Sequence, residues 1–138
     1  MPSPDRPRPL PPTVLIVEDD EVVAEAVAEA IGSAGYRTTL ARGAWRGLEA
    51  LTRERPAMIL VDLMLPGMGG SEFLGLVKTN PTWSRIPRVI MTGINDPMIG
   101  IREDAAVFYK PVDLSSLIEV VKRYCERSQP GAVSDTLN

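Results

Sequence analysis

The sequence predicts an α/β domain in which a parallel sheet is wound by helices on both faces. Two patterns carry that expectation. Short apolar runs recur without polar alternation, as in Val14-Leu15-Ile16-Val17, Met58-Ile59-Leu60-Val61 and Val89-Ile90-Met91. Strands of that kind are buried on both faces, as in parallel sheets. Between them lie segments with apolar residues at helical spacing, so strand and helix alternate along the chain.

The first strand is Thr13–Val17. The helix after it spans 20–34, with Val23, Ala26, Val27, Ala30 and Ile31 as its inward stripe. Gly35 suits the left-handed position just past its end. Strand two is Arg37–Ala41. Helix two covers 44–55 with Ala44, Leu48 and Leu51 inward, and Pro56 stops it. Strand three is Ala57–Val61. A loop containing Pro66, Gly67, Gly69 and Gly70 leads into helix three, 70–79. Strand four is Arg88–Met91 and strand five is Ala106–Tyr109. The last helix, 114–127, places Leu114, Leu117, Ile118, Val121, Tyr124 and Cys125 at helical spacing. Right-handed crossovers make this a doubly wound five-stranded sheet. In the flavodoxin-like order 2-1-3-4-5, ligands bind where strands one and three end.

Residues 1–12 hold six prolines and read as a flexible arm. Residues 128–138 read as a disordered tail, which leaves one domain over 13–127. The net charge of −3 opposes a nucleic-acid surface. No apolar stretch approaches a membrane span, and the N-terminus lacks the apolar core of a secretory signal. A single cysteine, Cys125, excludes an internal disulfide and fits a reducing cytoplasm. There is no histidine, which removes His-based metal sites and Ser-His-Asp triads. Any phosphohistidine chemistry therefore uses a partner's histidine.

Four strands end in polar groups. Glu18, Asp19 and Asp20 follow strand one, Asp62 follows strand three, Thr92 strand four and Lys110 strand five. Singly, each has an ordinary reading as a helix cap, a turn residue, a β-branched strand residue or a solvated charge. Together at one sheet edge they make a site. Crowded carboxylates repel unless a cation compensates. Oxygen-only ligands favour a hard ion, and Mg²⁺ is the natural candidate. A cation beside Asp62 would bind an incoming phosphoryl group, Lys110 would neutralise a second oxygen, and the Thr92 hydroxyl would bond a third.

The segments Val17-Glu18-Asp19-Asp20, Val61 to Gly70, Met91-Thr92-Gly93 and Lys110-Pro111 resemble, in order, the signatures of receiver domains of two-component response regulators. The resemblance covers Thr13 to Arg127, and the steps of 43 residues from Asp19 to Asp62 and 30 from Asp62 to Thr92 suit it. It implies a stand-alone response regulator rather than an enzyme. Asp62 would be the phosphoacceptor. Asp19 would be the main acidic Mg²⁺ ligand, with Glu18 acting nearby through water and the backbone carbonyl of Met64 completing the set. Thr92 would be the switch hydroxyl, Gly93 would leave room for phosphate beside its amide, and Lys110 would bind phosphate ahead of a cis Lys110–Pro111 bond. Asp20 would be the helix cap. The implied partners are a sensor histidine kinase or phosphotransfer protein and a downstream protein target, with the chain a monomer or weak homodimer. The alternative is a degenerate receiver that binds proteins without phosphorylation. A Mg²⁺-dependent phosphatase is disfavoured because Met64 stands where such enzymes carry a second acid.

Two features depart from the family pattern. An aromatic residue usually stands three positions before the lysine; here that position is Val107, with Phe108 and Tyr109 after it. Tyr109 would replace it if the strand register were shifted. From Thr92 to Lys110 is 18 residues, short by roughly one helical turn, so the fourth helix should be short, displaced or missing. Met64 and Ile94, two positions beyond Asp62 and Thr92, are bulky and apolar and imply slow self-dephosphorylation. Cys125 reads as a core thiol, and Trp45 and Trp83 as partly buried.

Overall fold

A computed structural model describes residues 10–93 and 105–128. The elements are β1 (Thr13–Val17), α1 (Glu21–Ser33), β2 (Arg37–Ala41), α2 (Ala44–Arg53), β3 (Met58–Asp62), α3 (Gly70–Thr79), β4 (Arg88–Thr92), β5 (Ala105–Tyr109) and α4 (Leu114–Ser128). All strands are parallel, in the order β2-β1-β3-β4-β5. This is the predicted doubly wound sheet.

The unbroken apolar runs have their expected cause, since every residue of β1, β3 and β4 is buried. Successive strand side chains point to opposite faces, so each run feeds two cores. Leu15, Val17, Ile59, Val61 and Ile90 pack under α2 and α3 with Leu51, Phe73 and Val77. Val14, Ile16, Met58, Leu60, Val89 and Met91 pack under α1 and α4 with Val27, Ile31, Leu117, Val121 and Cys125. Edge strand β2 is more polar and only Ala41 is buried.

Helix ends follow local chemistry. Asp20 caps α1, its Oδ1 accepting from the amides of Val22 (3.0 Å) and Val23 (3.2 Å). Gly35 takes a φ of +103° beyond the end of α1, the left-handed position foreseen for it. Asp113 caps α4 through the Ser115 amide at 3.1 Å. At α3 the cap residue is Gly69, which has no side chain to offer. Only the return half of a capping box exists there, with the Gly69 amide donating to Glu72 Oε1 at 3.2 Å.

Several expectations need correction. The inward stripe of α1 is rotated, because Ala24 is buried and Ala26 is exposed. Gly47 and Ala50 join Ala44 and Leu51 on the inner face of α2, while Leu48 is half-buried. Gly47 is inward because the Phe73 ring lies over it; a Cβ there would stand 2.9 Å from Phe73 Cε1. Strands three and four each run one residue further than expected, taking in Asp62 and Thr92. Trp83 is partly buried against the α2–α3 core, as expected. Trp45 is not: it is 70% exposed, pointing away from the face that Ala44 and Gly47 bury.

At the start of β1, the carbonyls of Pro11 and Pro12 accept from Arg37 Nε and the Arg37 amide, both at 3.0 Å. The last residues of the expected arm are thus tied to β2. Residues 1–9, the tail beyond 128 and the segment 94–104, where the short or missing fourth helix was expected, lie outside the described residues. Among the described residues no helix is long and apolar enough to cross a membrane.

Candidate functional site

The parallel sheet brings the carboxyl ends of β1, β3, β4 and β5 to one edge, and the predicted polar groups meet there. Oxygens of Glu18, Asp19 and Asp62 all lie within 4.8 Å of one another. Lys110 Nζ stands 2.9 Å from Asp62 Oδ2 and 2.9 Å from Glu18 Oε1. Thr92 is fully buried at the end of β4, and its carbonyl accepts from the Lys110 amide at 2.9 Å. Gly93 is exposed, and a Cβ there would meet nothing within 4 Å among the described residues. The Lys110–Pro111 peptide bond is cis.

Backbone groups aim the carboxylates. The Met64 amide donates to Asp62 Oδ1 at 2.9 Å, and the Asp20 amide donates to Glu18 Oε2 at 3.1 Å. The Glu18 amide in turn donates to the Ala41 carbonyl at 2.9 Å, which anchors that acid to β2. These amide tethers had no signal in the sequence, because they depend on how two loops turn. A further positioning residue is Gly70, whose amide donates to the Leu63 carbonyl at 3.2 Å. A Cβ on Gly70 would lie 2.3 Å from the Asp62 carbonyl oxygen. The Gly69-Gly70 pair after the turn was the only sequence hint of so close an approach.

Glu18 and Asp62 are buried, whereas Asp19 is exposed. Burial pushes the Glu18 carboxyl above its ordinary range; the Lys110 ammonium and the Asp20 amide oppose that, and Asp62 adds to it. Burial alone would lower the Lys110 pKa, but its bonds to Glu18 and Asp62 outweigh burial and raise it. At Glu18 Oε1 the ammonium contact is one of charge, since this buried oxygen makes no aligned hydrogen bond. Two buried carboxylates with a third, exposed one within 4.8 Å are a donor set suited to a hard divalent cation.

No register shift separates the two candidate positions for the aromatic residue. Val107 pairs with Ile90 and Tyr109 pairs with Thr92. Tyr109 therefore stands beside Thr92 on the same face without any register shift, and it is 47% exposed.

The description of the response regulator receiver domain matches residues 14–122. This chain belongs to the response-regulator receiver family. The receiver is 33% identical over 115 residues to sporulation initiation phosphotransferase F of Bacillus subtilis, covering 80% of this chain and 91% of that protein. It is 29% identical over 126 residues to the response regulator protein FleR of Pseudomonas aeruginosa, covering 88% of this chain but only 26% of FleR. The receiver therefore spans about a quarter of one such relative and nearly the whole of another. Among solved structures, the receiver domain of a signal transduction histidine kinase from Syntrophus aciditrophicus is 28% identical. It superposes with a TM-score of 0.77, covering 86% of this chain and 93% of that one.

Proposed function

We propose that this receiver accepts a phosphoryl group onto Asp62 from a phosphohistidine of a sensor kinase or phosphotransfer protein and signals through altered binding to a downstream protein. What supports this is the convergence of three carboxylates within 4.8 Å with Lys110 Nζ at 2.9 Å from two of them. The Asp62 carboxylate, held by the Met64 amide and Lys110, is the one acid on β3 at the centre of the sheet. One of its oxygens forms the new O–P bond as the N–P bond to the donor's imidazole breaks. The electron pair of that bond stays on the donor nitrogen.

Glu18 and Asp19, with Asp62 and the Met64 carbonyl, would hold Mg²⁺, which supplies charge neutralisation for the phosphoryl oxygens. Lys110 contributes a fixed positive charge to another phosphoryl oxygen, and the Thr92 hydroxyl and Gly93 amide donate to the rest. Tyr109, beside Thr92 and half in solvent, is the aromatic side chain placed to respond when the Thr92 hydroxyl moves. Met64 lies exposed at the mouth and has no group to orient a water, which fits a long-lived acyl phosphate. The chain is an acceptor and not a turnover enzyme.

Incubation with acetyl phosphate and Mg²⁺, followed by intact mass measurement, tests this. A gain of one phosphoryl group is expected in the natural protein and none in Asp62→Asn. Equal labelling of the two would overturn the assignment. A half-life of seconds for the label would overturn the slow-hydrolysis reading.

A further inference from the structure

β2 is an edge strand with β1 on one side only. Its inner bonds fix which groups turn outward. The Arg37 amide donates to the Pro12 carbonyl and the Ala41 carbonyl accepts from the Glu18 amide, both toward β1. Bonding groups alternate along a parallel strand, so Thr39 also bonds inward, and the amides and carbonyls of Thr38 and Leu40 point out of the sheet. No described residue bonds to them. The two walls of this edge differ in chemistry. On the α1 face, Leu40 pairs with Ile16 and is 45% exposed. Glu21, Glu25 and Glu29 are exposed along α1 at intervals of four residues. Glu21 meets the Arg42 guanidinium just past β2 at 2.8 Å, so this acidic stripe borders the edge. On the other face, Phe73 of α3 covers Gly47 on one flank of α2. The opposite flank, beside the open edge, carries the exposed Trp45 and the half-buried Leu48.

We infer that the open edge of β2 takes an added strand from a partner protein, an extended segment in which apolar residues alternate with lysine or arginine. The main chain of such a segment bonds to Thr38 and Leu40, and its side chains point alternately to the two faces. Its basic residues lie along Glu25 and Glu29, and its apolar residues lie on Trp45 and Leu48. Charge opposes a second copy of this chain as the occupant. Antiparallel pairing of β2 with its own copy needs a two-fold axis normal to the sheet, which keeps each face on its own side. One α1 would then run beside the other, glutamates against glutamates. The edge makes no use of Asp62 or its neighbours, so the inference stands apart from the phosphoacceptor reading.

The probe is a fluorescein-labelled short peptide of alternating valine and lysine, titrated with the full chain and followed by fluorescence anisotropy. Saturable binding that weakens with salt is expected, together with slowed hydrogen exchange at the Thr38 and Leu40 amides. A peptide of alternating valine and glutamate should not bind. Thr38→Pro removes an outward donor and no inward bond, and an edge strand tolerates proline where its N–H faces solvent. It should fold and bind the valine–lysine peptide about tenfold more weakly. Failure of the natural protein to bind that peptide overturns the inference, as does equal binding of the two peptides or undiminished binding by Thr38→Pro. A chain that sediments as a dimer until Thr38→Pro is introduced gives the edge to a second copy and overturns it too. Should Thr38→Pro not fold, Glu25→Lys on the exposed surface of α1 supplies the answer. It should weaken binding of the valine–lysine peptide and strengthen that of the valine–glutamate peptide, and unchanged affinities refute the proposal.

Discussion

Gly70→Ala should cripple phosphorylation by moving a backbone that no rotamer change can spare. The new methyl would lie 2.3 Å from the Asp62 carbonyl oxygen and 2.5 Å from Leu63 Cα, where ordinary contact begins at 3.4 Å. The loop after β3 must therefore open by about 1 Å, a strain on the order of 1–3 kcal/mol. The group displaced is the nucleophile's own main chain, and a misplacement of about 1 Å costs on the order of 10²-fold in rate. Gly47→Ala is the matched comparison. Its Cβ would stand 2.9 Å from Phe73 Cε1 and 3.1 Å from Val17 Cγ2, which are side-chain atoms away from the Asp62 backbone. Urea denaturation gives the stability of each variant, and the time course of labelling by acetyl phosphate gives the rate in the folded protein. Gly70→Ala should lose both stability and rate, whereas Gly47→Ala should lose stability and keep most of its rate. The reasoning is refuted if folded Gly70→Ala labels at the natural rate, or if both variants lose rate in equal proportion to stability.

Phe73→Ala, which empties a fully buried ring site under α2 and α3, should cost about 3–5 kcal/mol in urea denaturation. Cys125 is fully buried and its thiol is pushed up to about 11, first by burial and then by Glu126, so a thiol reagent at neutral pH should modify it only after denaturation. The folded pKa of Lys110 lies above its ordinary 10.5, so the stability it contributes is complete below 10.5 and fades as pH rises through the higher folded value. Thermal melts taken on both sides of that value should show the natural protein losing this increment and Lys110→Met, which has no ammonium there, losing none of it.

The strands were legible because a both-faces-buried strand leaves a local signature, an apolar run of the right length. Asp20 and Gly35 were legible for a similar reason, since capping and left-handed turns act over a few residues. Side-chain direction was harder. The stripe of α1 came out rotated because alanine carries little weight in an apolar pattern, yet Ala24 fits the core where space is small. Gly47 was invisible as a core residue because its inward role is to make room for a ring from another helix. Trp45, off the inward stripe of α2, was read as partly buried, and the face of α2 that meets the sheet leaves it in solvent.

The same division runs through the site. The sequence alone determined which chemical groups stand at strand ends, because chain order and strand length are local facts and a parallel sheet gathers those ends at one edge. Tertiary structure alone decided how they face one another. Lys110 reaches Asp62 across 48 residues of chain, and Glu18 rather than its neighbour Asp19 turns into the buried pair. Tyr109 came to stand beside Thr92 through the pairing of β4 with β5. Such contacts depend on loop paths and strand register, to which distant segments contribute together, and no local pattern of residues encodes them.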